Sequence, residues 1–189
     1  MNRFFLDSQL INNRRVIFPE NVSHQILHVL RLTSGDSVDV LDNRGFVYRV
    51  EIDVSGDSQS VYGRIKQKEI VTTEPATRIT LCFGLSNREK VEWILQKGTE
   101  IGVSEFAPFT SSRTLVQSSG LSEKKKERWE RIIKEAAEQS HRGRLPNLIL
   151  PRDFESCVMQ TCPQKALNLI AWEGESTQKA IIKESLQGF

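Results

Sequence analysis

The sequence predicts a two-domain α+β protein in which a small β-barrel precedes an α/β domain with a mostly parallel sheet. Short strand-like segments separated by turn residues fill the first part of the chain, as in small barrels. Strand and helix patterns then alternate, which is typical of a parallel sheet covered by helices. Between these parts, Pro75 disfavours helix in the residue before it, so residues 71–76 are a candidate linker. We therefore expect domains of residues 1–72 and 73–189.

The predicted barrel has four strands and one helix. The strands cover residues 4–6, 37–41, 46–52 and 61–65. Turns separate them at residues 33–36 and 42–45, where Gly and Asn tolerate positive φ. A helix at residues 22–30 places Ile26, Leu27 and Leu30 on one inward face.

The predicted α/β domain alternates four strands with four helices. Strands are expected at residues 78–83, 105–109, 148–150 and 167–172, and helices at 88–101, 122–141, around 154–160 and after Ser176. Ser86 with Glu89 forms a capping box for the first helix, and Gly102 supplies a left-handed end. An apolar stripe on the second helix predicts its core face: Trp129, Ile132, Ile133, Ala136, Ala137 and Ser140.

Composition excludes several classes of protein. The 189 residues carry 26 basic and 24 acidic side chains, so a nucleic-acid surface would have to be a local patch. Cys82, Cys157 and Cys162 form neither an even set nor a Cys-x-x-Cys pair, which favours reduced thiols over disulfides or zinc. There is no uncharged apolar run of the ~18 residues that a membrane span needs and no signal-peptide pattern. These features favour a cytoplasmic protein with no membrane partner.

The common enzyme motifs are absent. The sequence has no Gly-x-Ser-x-Gly elbow, phosphate-binding glycine loop or Gly-x-Gly-x-x-Gly segment. His24 and His28 lie one helical turn apart, but no neighbouring ligand completes a metal set, so we expect no metal. His28, close to Arg31, is better explained as part of a polar or RNA-facing surface.

Charged groups elsewhere have both ordinary and functional explanations. The run at residues 124–126, followed by Arg128, is expected to be a solvated face rather than a phosphate contact. Glu138 and Arg142 have the i, i+4 spacing of a helical ion pair. Isolated arginines near the barrel strands could instead bind phosphates with their fork-shaped guanidinium groups: Arg3, Arg31, Arg44 and Arg49.

The most specific pattern is Lys90-x-Glu92-Trp93-x-x-x-Lys97-x-Thr99-Glu100-x-Gly102-Val103. It occurs with Arg3-Phe4-Phe5, with His28-Val29-Leu30-Arg31-Leu32, with Arg128-Trp129 and with Glu135-Ala136-Ala137-Glu138-Gln139-Ser140. Together these segments resemble the SPOUT-class methyltransferases that modify N3 of a uridine in small-subunit ribosomal RNA. The resemblance extends over the whole chain.

This resemblance implies a PUA-like barrel that binds RNA and a SPOUT-like α/β domain that ends in a trefoil knot. It also implies a homodimer, S-adenosylmethionine as methyl donor, and small-subunit rRNA or the ribosomal subunit as partner. Family members carry Gly-Pro-Glu-Gly-Gly and Leu-Gly-x-x-Ile-Leu-Arg segments, and neither occurs before Phe189. We therefore expect a truncated chain that lacks the knot region. For this reason no cofactor-binding residue and no general base can be assigned.

The predicted RNA contacts combine barrel and catalytic-domain positions: Arg3, His28, Arg31, Arg44, Lys90, Arg113 and Arg142. Their expected role is to position phosphates, while the base would be selected by flipping into the pocket. One alternative is a non-catalytic RNA-binding or ribosome-assembly module. Another is a small-molecule α/β enzyme whose barrel is only structural.

Overall fold

A computed structural model describes residues 1–12, 14–54, 60–112, 121–162, 166–171 and 186. The chain forms a curved, mainly antiparallel sheet followed by a parallel α/β sheet, which confirms the predicted fold class. Among the described residues, no helix is long and apolar enough to cross a membrane.

The first sheet is a half-barrel of five strands in the order β1-β3-β4-β5-β2. The strands are β1 (Arg3–Phe5), β2 (Arg15–Ile17), β3 (Ser37–Leu41), β4 (Phe46–Val54) and β5 (Val61–Ile70). Strand β1 runs parallel to β3, and the other pairings are antiparallel. The register shifts between Arg49 and Val50, and such a bulge bends a strand. β2 was not predicted from the sequence.

Alternate side chains of the half-barrel pack into one core, as the two-residue strand period requires. Its largest fully buried members include Phe4, Val16, Val38, Val50 and Ile52. A short helix, α1 (Glu20–His24), continues as a π-helical segment (Gln25–Val29) and covers this core. Ile26 is fully buried there, while Leu27 and Leu30 are partly buried, as the sequence predicted.

The second sheet is entirely parallel. Strands β6 (Thr80–Gly84), β7 (Glu105–Thr110) and β8 (Asn147–Leu148) lie side by side, and β9 (Arg152–Asp153) also pairs with β7. The helices are α2 (Arg88–Glu100), α3 (Glu123–Gln139) and α4 (Phe154–Thr161). Helices α2 and α3 pack together over a core that includes Leu95, Phe106 and Trp129.

Several local predictions differ from the structure. Helix α2 is capped by Asn87, not Ser86; the Asn87 side chain accepts a hydrogen bond of 3.1 Å from the Lys90 amide. Asn caps as well as Ser, so two adjacent capping residues cannot be ranked from sequence. Gly102 has a φ of 104°, which confirms the left-handed helix end.

The strand that the sequence predicted at residues 167–172 is not formed by the residues described there. Residues 167–171 form no strand, and Leu169 and Ile170 are exposed rather than paired with a neighbouring strand. Apolar residues alone do not make a strand, because its backbone groups need a ladder partner. Except for residue 186, the predicted helix after Ser176 lies outside the described residues.

The half-barrel and the α/β part are joined by direct contacts. The backbone amide of Phe5 donates to Glu138 of α3 over 2.9 Å, and Arg3 donates to the carbonyl of His141 over 2.8 Å. Phe5, Leu41 and Ala137 form a small apolar cluster at the same junction. The end of α3 therefore fixes the position of the half-barrel.

Candidate nucleic-acid interface

His28 and Arg31 lie together at an exposed corner of the half-barrel. The rings of His24 and His28 are 4.6 Å apart in the helical segment that covers the core. Arg31 has a φ of 54°, an unusual conformation for a residue with a side chain. The bond from the Leu32 amide to the Ile26 carbonyl, 3.0 Å long, holds the chain in this bend. The fold thus presents His28 and Arg31 outward on a fixed backbone.

Arg44 is exposed at the tip of the turn between β3 and β4. The Asp42 carboxylate accepts hydrogen bonds from the amides of Arg44 (2.8 Å) and Phe46 (3.1 Å). Asn43 and Gly45 have positive φ, as the sequence predicted. The Asn43 side chain also accepts a bond of 2.8 Å from the Leu145 amide, so this turn lies beside the α/β part.

Arg142 was predicted to contact RNA at the surface, and this prediction is wrong. The residue is only 4% exposed. Its Nε and Nη2 atoms donate to the two carboxylate oxygens of Glu74, over 3.0 and 2.8 Å. Its Nη1 atom donates to the carbonyls of Thr99 and Val103, over 2.9 and 3.0 Å. Every nitrogen of the guanidinium group is therefore occupied within the protein.

The i, i+4 pair of Glu138 with Arg142 is also not formed. Glu138 instead accepts the Phe5 amide and lies 3.9 Å from Lys134. Burial raises the pKa of the Glu138 carboxyl, and the Phe5 amide only partly offsets this effect. Both residues thus have other partners: Phe5 and Lys134 for Glu138, and Glu74 for Arg142.

Arg3 is largely committed to the junction as well. Its side chain is 12% exposed, and its Nε atom lies 3.6 Å from the Asp39 carboxylate. Asp39 also faces Arg49 across the sheet, at 3.5 Å. Arg3 and Arg49 therefore hold a buried acid in place. Arg113 lies outside the described residues.

Lys90 is exposed in the first turn of α2, which begins after the carboxyl end of β6. It lines a shallow depression of about 480 Å³ together with Glu89, Trp93 and Ile94. Trp93 is 62% exposed, a large value for an aromatic side chain. An ammonium group and an open indole face offer complementary contacts to a phosphate and a base.

Glu92, on the other flank of α2, ties the two long helices together. It accepts bonds from Arg128 of α3 over 2.6 and 2.8 Å and from Arg88 over 2.8 Å. The hydrogen bonds from Arg128 lower the pKa of Glu92 to about 2. Arg128 is thus engaged in a structural pair, and in the adjacent run Lys126 pairs with Glu123 and Glu130, as expected of a solvated face.

The linker residue Glu74 was not singled out in the sequence. Besides Arg142, it accepts bonds from the amides of Gly143 (2.7 Å) and Arg144 (3.2 Å). Partial burial raises the pKa of its carboxyl, but these bonds outweigh burial, so the pKa lies below its ordinary value. A single acid in a linker gives no local signal, because its partners lie almost 70 residues away.

Two contacts lie at the described carboxyl ends of the parallel strands. α/β sheets bind ligands beyond the carboxyl ends of their strands. Here the Leu85 amide donates to the Phe109 carbonyl over 2.8 Å, and the ring of Phe109 packs 5.0 Å from that of Phe154. We assign no described residue to a cofactor. No metal-binding cluster occurs among the described residues either.

Comparisons with known proteins fit this arrangement. Residues 18–66 match a family described as RNA methyltransferase PUA domain, and residues 73–188 match RNA methyltransferase domain. Ribosomal RNA small subunit methyltransferase E of Bacillus subtilis is 33% identical over 160 residues, which cover 84% of this chain and 61% of that protein. The Synechocystis protein of the same name is 34% identical over 149 residues, 78% of this chain and 46% of its own length.

Solved structures show the same fold. Ribosomal RNA small subunit methyltransferase E of Neisseria gonorrhoeae, bound to S-adenosyl methionine, has a TM-score of 0.76 at 26% identity. The match covers 87% of this chain and 66% of that one. A probable rRNA methyltransferase of Porphyromonas gingivalis has a TM-score of 0.77 at 27% identity, covering 95% and 71%. Since the methyltransferase family model matches more than half of the sequence, the chain belongs to the RNA methyltransferase domain family.

Proposed function

We propose that this protein methylates N3 of a uridine in small-subunit ribosomal RNA, with S-adenosylmethionine as methyl donor. One observation carries the proposal: a half-barrel of the RNA methyltransferase PUA type is fixed by direct contacts to a parallel domain of the methyltransferase type. The similar proteins from Bacillus and Synechocystis are named for methylation of this RNA, which supports the substrate class. The S-adenosyl methionine in the Neisseria structure supports the cofactor.

Positioning of the RNA is the main task that we assign to the described residues. Methyl transfer to uracil N3 requires little acid–base chemistry beyond removal of the N3 proton. Correct placement of the reacting groups can therefore supply much of the rate enhancement. No described residue is assigned as the base.

The proposed RNA contacts are the exposed ones of the predicted set: His28, Arg31, Arg44 and Lys90. Phosphate contacts at the barrel corner and turn would set the register of the RNA, and Lys90 with Trp93 would contact it beside the α/β part. Arg113 stays a prediction. Arg142 is removed from the set, and Arg3 has a structural role at the junction. A homodimer and a cytoplasmic location belong to the same proposal.

Two titrations of the protein test the proposal. Isothermal calorimetry of the intact gene product with S-adenosylmethionine should show binding, and a fluorescent small-subunit rRNA fragment should bind with an affinity that falls as salt rises. Recovery of RNA binding when the salt concentration is lowered again is the control: it shows that the weaker binding at high salt is not caused by unfolding. RNA binding without cofactor binding would contradict methylation and favour a non-catalytic ribosome-assembly module. Cofactor binding without RNA binding would favour a small-molecule enzyme.

A further inference from the structure

The outer face of β2 and β5 carries two arginines directly opposite each other. In the antiparallel register, Arg15 pairs with Arg64, and Ile17 pairs with Tyr62. Val16, between the two β2 residues, is fully buried. Because side chains alternate along a strand, the other four point away from the core. All four are exposed.

The two arginines occupy the closest kind of cross-strand position. The Phe18 amide donates to the Val61 carbonyl over 3.2 Å, and the Ile65 amide donates to the Arg14 carbonyl over 3.1 Å. Residues 14 and 65, and residues 18 and 61, are therefore hydrogen-bonded pairs. Because such pairs alternate with non-hydrogen-bonded ones along an antiparallel ladder, Arg15 and Arg64 form a non-hydrogen-bonded pair. Side chains approach more closely there than at hydrogen-bonded positions. Like charges placed directly opposite destabilise a sheet.

Nearby acids do not neutralise this pair. Glu51 faces Arg64 from β4, but its ion pair is with Lys66, at 3.1 Å. Asp53, the other acid on this part of the face, lies opposite Tyr62. Among the residues that the structure describes, neither Arg15 nor Arg64 forms an ion pair. Among the described residues, the two guanidinium groups thus have no carboxylate partner and are available to a bound anion.

An open aromatic ring lies beside the two cations. Tyr62 is 39% exposed and its cross-strand partner Ile17 is 43% exposed, so an aromatic and an aliphatic side chain lie open side by side on this face. Proteins that bind single-stranded nucleic acid combine aromatic stacking platforms with cations that track the backbone. A guanidinium fork matches phosphate oxygens in a bidentate manner.

We propose that this face, formed by Arg15, Arg64 and Tyr62, binds single-stranded RNA. The two arginines hold phosphates, and the tyrosine ring stacks on a base. The proposal rests on the proposed function and adds to it a site apart from the corner at His28 and Arg31. RNA is favoured over an acidic protein because a tyrosine ring that can stack on a base adjoins two guanidinium forks that match phosphate oxygens.

Fluorescence anisotropy with a labelled single-stranded oligouridylate of about 12 nucleotides tests the proposal. The variants are Arg15→Gln, Arg64→Gln, the double variant and Tyr62→Ala. The control is Arg131→Gln, which removes the same charge from an exposed position on α3. Each arginine change should lower the magnitude of the salt slope by about 0.7. The double variant should bind roughly tenfold more weakly or worse, and Tyr62→Ala about fivefold more weakly or worse. The control should bind within twofold of the wild type.

Arg15→Glu separates a binding role from a structural one. It places an acid opposite Arg64, so the melting temperature should be equal or higher while RNA affinity falls further. Binding within twofold of the wild type by the double variant and by Tyr62→Ala would overturn the proposed site while leaving the proposed function intact. Equal competition by polyglutamate of matched charge would also overturn it, in favour of an acidic protein partner. If the wild type and Arg131→Gln both fail to bind RNA at low salt, the proposed function fails too.

Discussion

Arg142 and Glu74 form a bidentate ion pair that joins the end of α3 to the linker between the two sheets. Two N–O contacts of 3.0 and 2.8 Å make the pair, and the Arg142 side chain is almost fully buried. The same guanidinium donates to two carbonyls at the end of α2. One side chain thus connects the linker, α2 and α3, and so fixes the frame on which an RNA surface is built.

Arg142→Ala should lower the free energy of unfolding by about 3–5 kcal/mol, because it leaves a partly buried carboxylate and two carbonyls without their donor. Urea denaturation followed by circular dichroism measures this loss. Arg131→Ala, at an exposed position of α3, is the matched control and should change stability by about 0.5 kcal/mol or less. A loss below about 1 kcal/mol for Arg142→Ala would contradict the role assigned to this residue.

Glu92→Gln should make stability less sensitive to acid. The pKa of Glu92 is about 2 in the folded protein, below its ordinary value of 4.5, because Arg128 and Arg88 bind its carboxylate. Its contribution is therefore complete above about pH 4.5 and is lost as pH falls toward 2. The urea midpoint of the wild type should fall between pH 5 and pH 3 more steeply than that of the variant. Parallel curves would show that this pair contributes nothing.

Glu138→Gln should have the opposite pH dependence to Glu92→Gln: its effect on stability should appear at high pH rather than at low pH. Burial raises the folded-state pKa of Glu138, so its contribution to stability is present at low pH and is lost as pH rises through that pKa. A glutamine can still accept the Phe5 amide and carries no charge. At pH 8 the variant should be at least as stable as the wild type, and the gap should close as pH falls. A variant that is less stable at pH 8 would refute this assignment.

Cys157 should be the least reactive of the three free thiols. Burial raises the pKa of Cys157 to about 11, and the neighbouring Cys82 adds to the effect. Since the thiolate is the reactive form, iodoacetamide should label half-buried Cys82 and Cys162 first. Mass spectrometry of peptides from the native protein at pH 8 measures the order. Labelling of Cys157 at the rate of Cys162 would contradict the packing of α4 on the sheet.

Gly98→Ala should destabilise the protein although alanine is the better helix former. A Cβ atom at this position of α2 would lie 2.6 Å from the Phe106 ring, so a buried aromatic would have to move. Overpacking of this kind costs about 1–3 kcal/mol, which exceeds the gain in helix propensity of about 0.5–1 kcal/mol. Thermal unfolding measures the difference, with Gln96→Ala on the exposed side of α2 as control. A more stable Gly98→Ala protein would show that the helix and sheet are not in close contact.

Local patterns were sufficient to predict the main elements of the fold. The spacing of Trp129 and Ile133 predicted the buried face of α3, and Gly102 marked the end of α2. Patterns failed where partners are distant in the chain. Arg142 has the helical spacing for an ion pair with Glu138, yet its guanidinium group donates instead to Glu74, 68 positions earlier in the sequence. Two-residue strands such as β9 are also too short to be recognised.

The candidate site was predictable only in part, because sequence identifies charge but not burial. His28, Arg31, Arg44 and Lys90 are exposed as expected, whereas Arg3 and Arg142 are used within the protein. The face of Arg15 and Arg64 could not be recognised at all, since their approach depends on the register of β2 against β5. The unpredicted strand β2 therefore hid the pairing of Arg15 with Arg64.

The most direct test of the central claim is nucleoside analysis of small-subunit rRNA from cells with and without the gene that encodes this chain. Digested rRNA is separated by liquid chromatography, and methylated uridines are identified by mass spectrometry. The proposed function predicts that one N3-methyluridine disappears when the gene is deleted and returns when it is restored. An unchanged amount of N3-methyluridine, or the loss of a different methylated nucleoside, would contradict it.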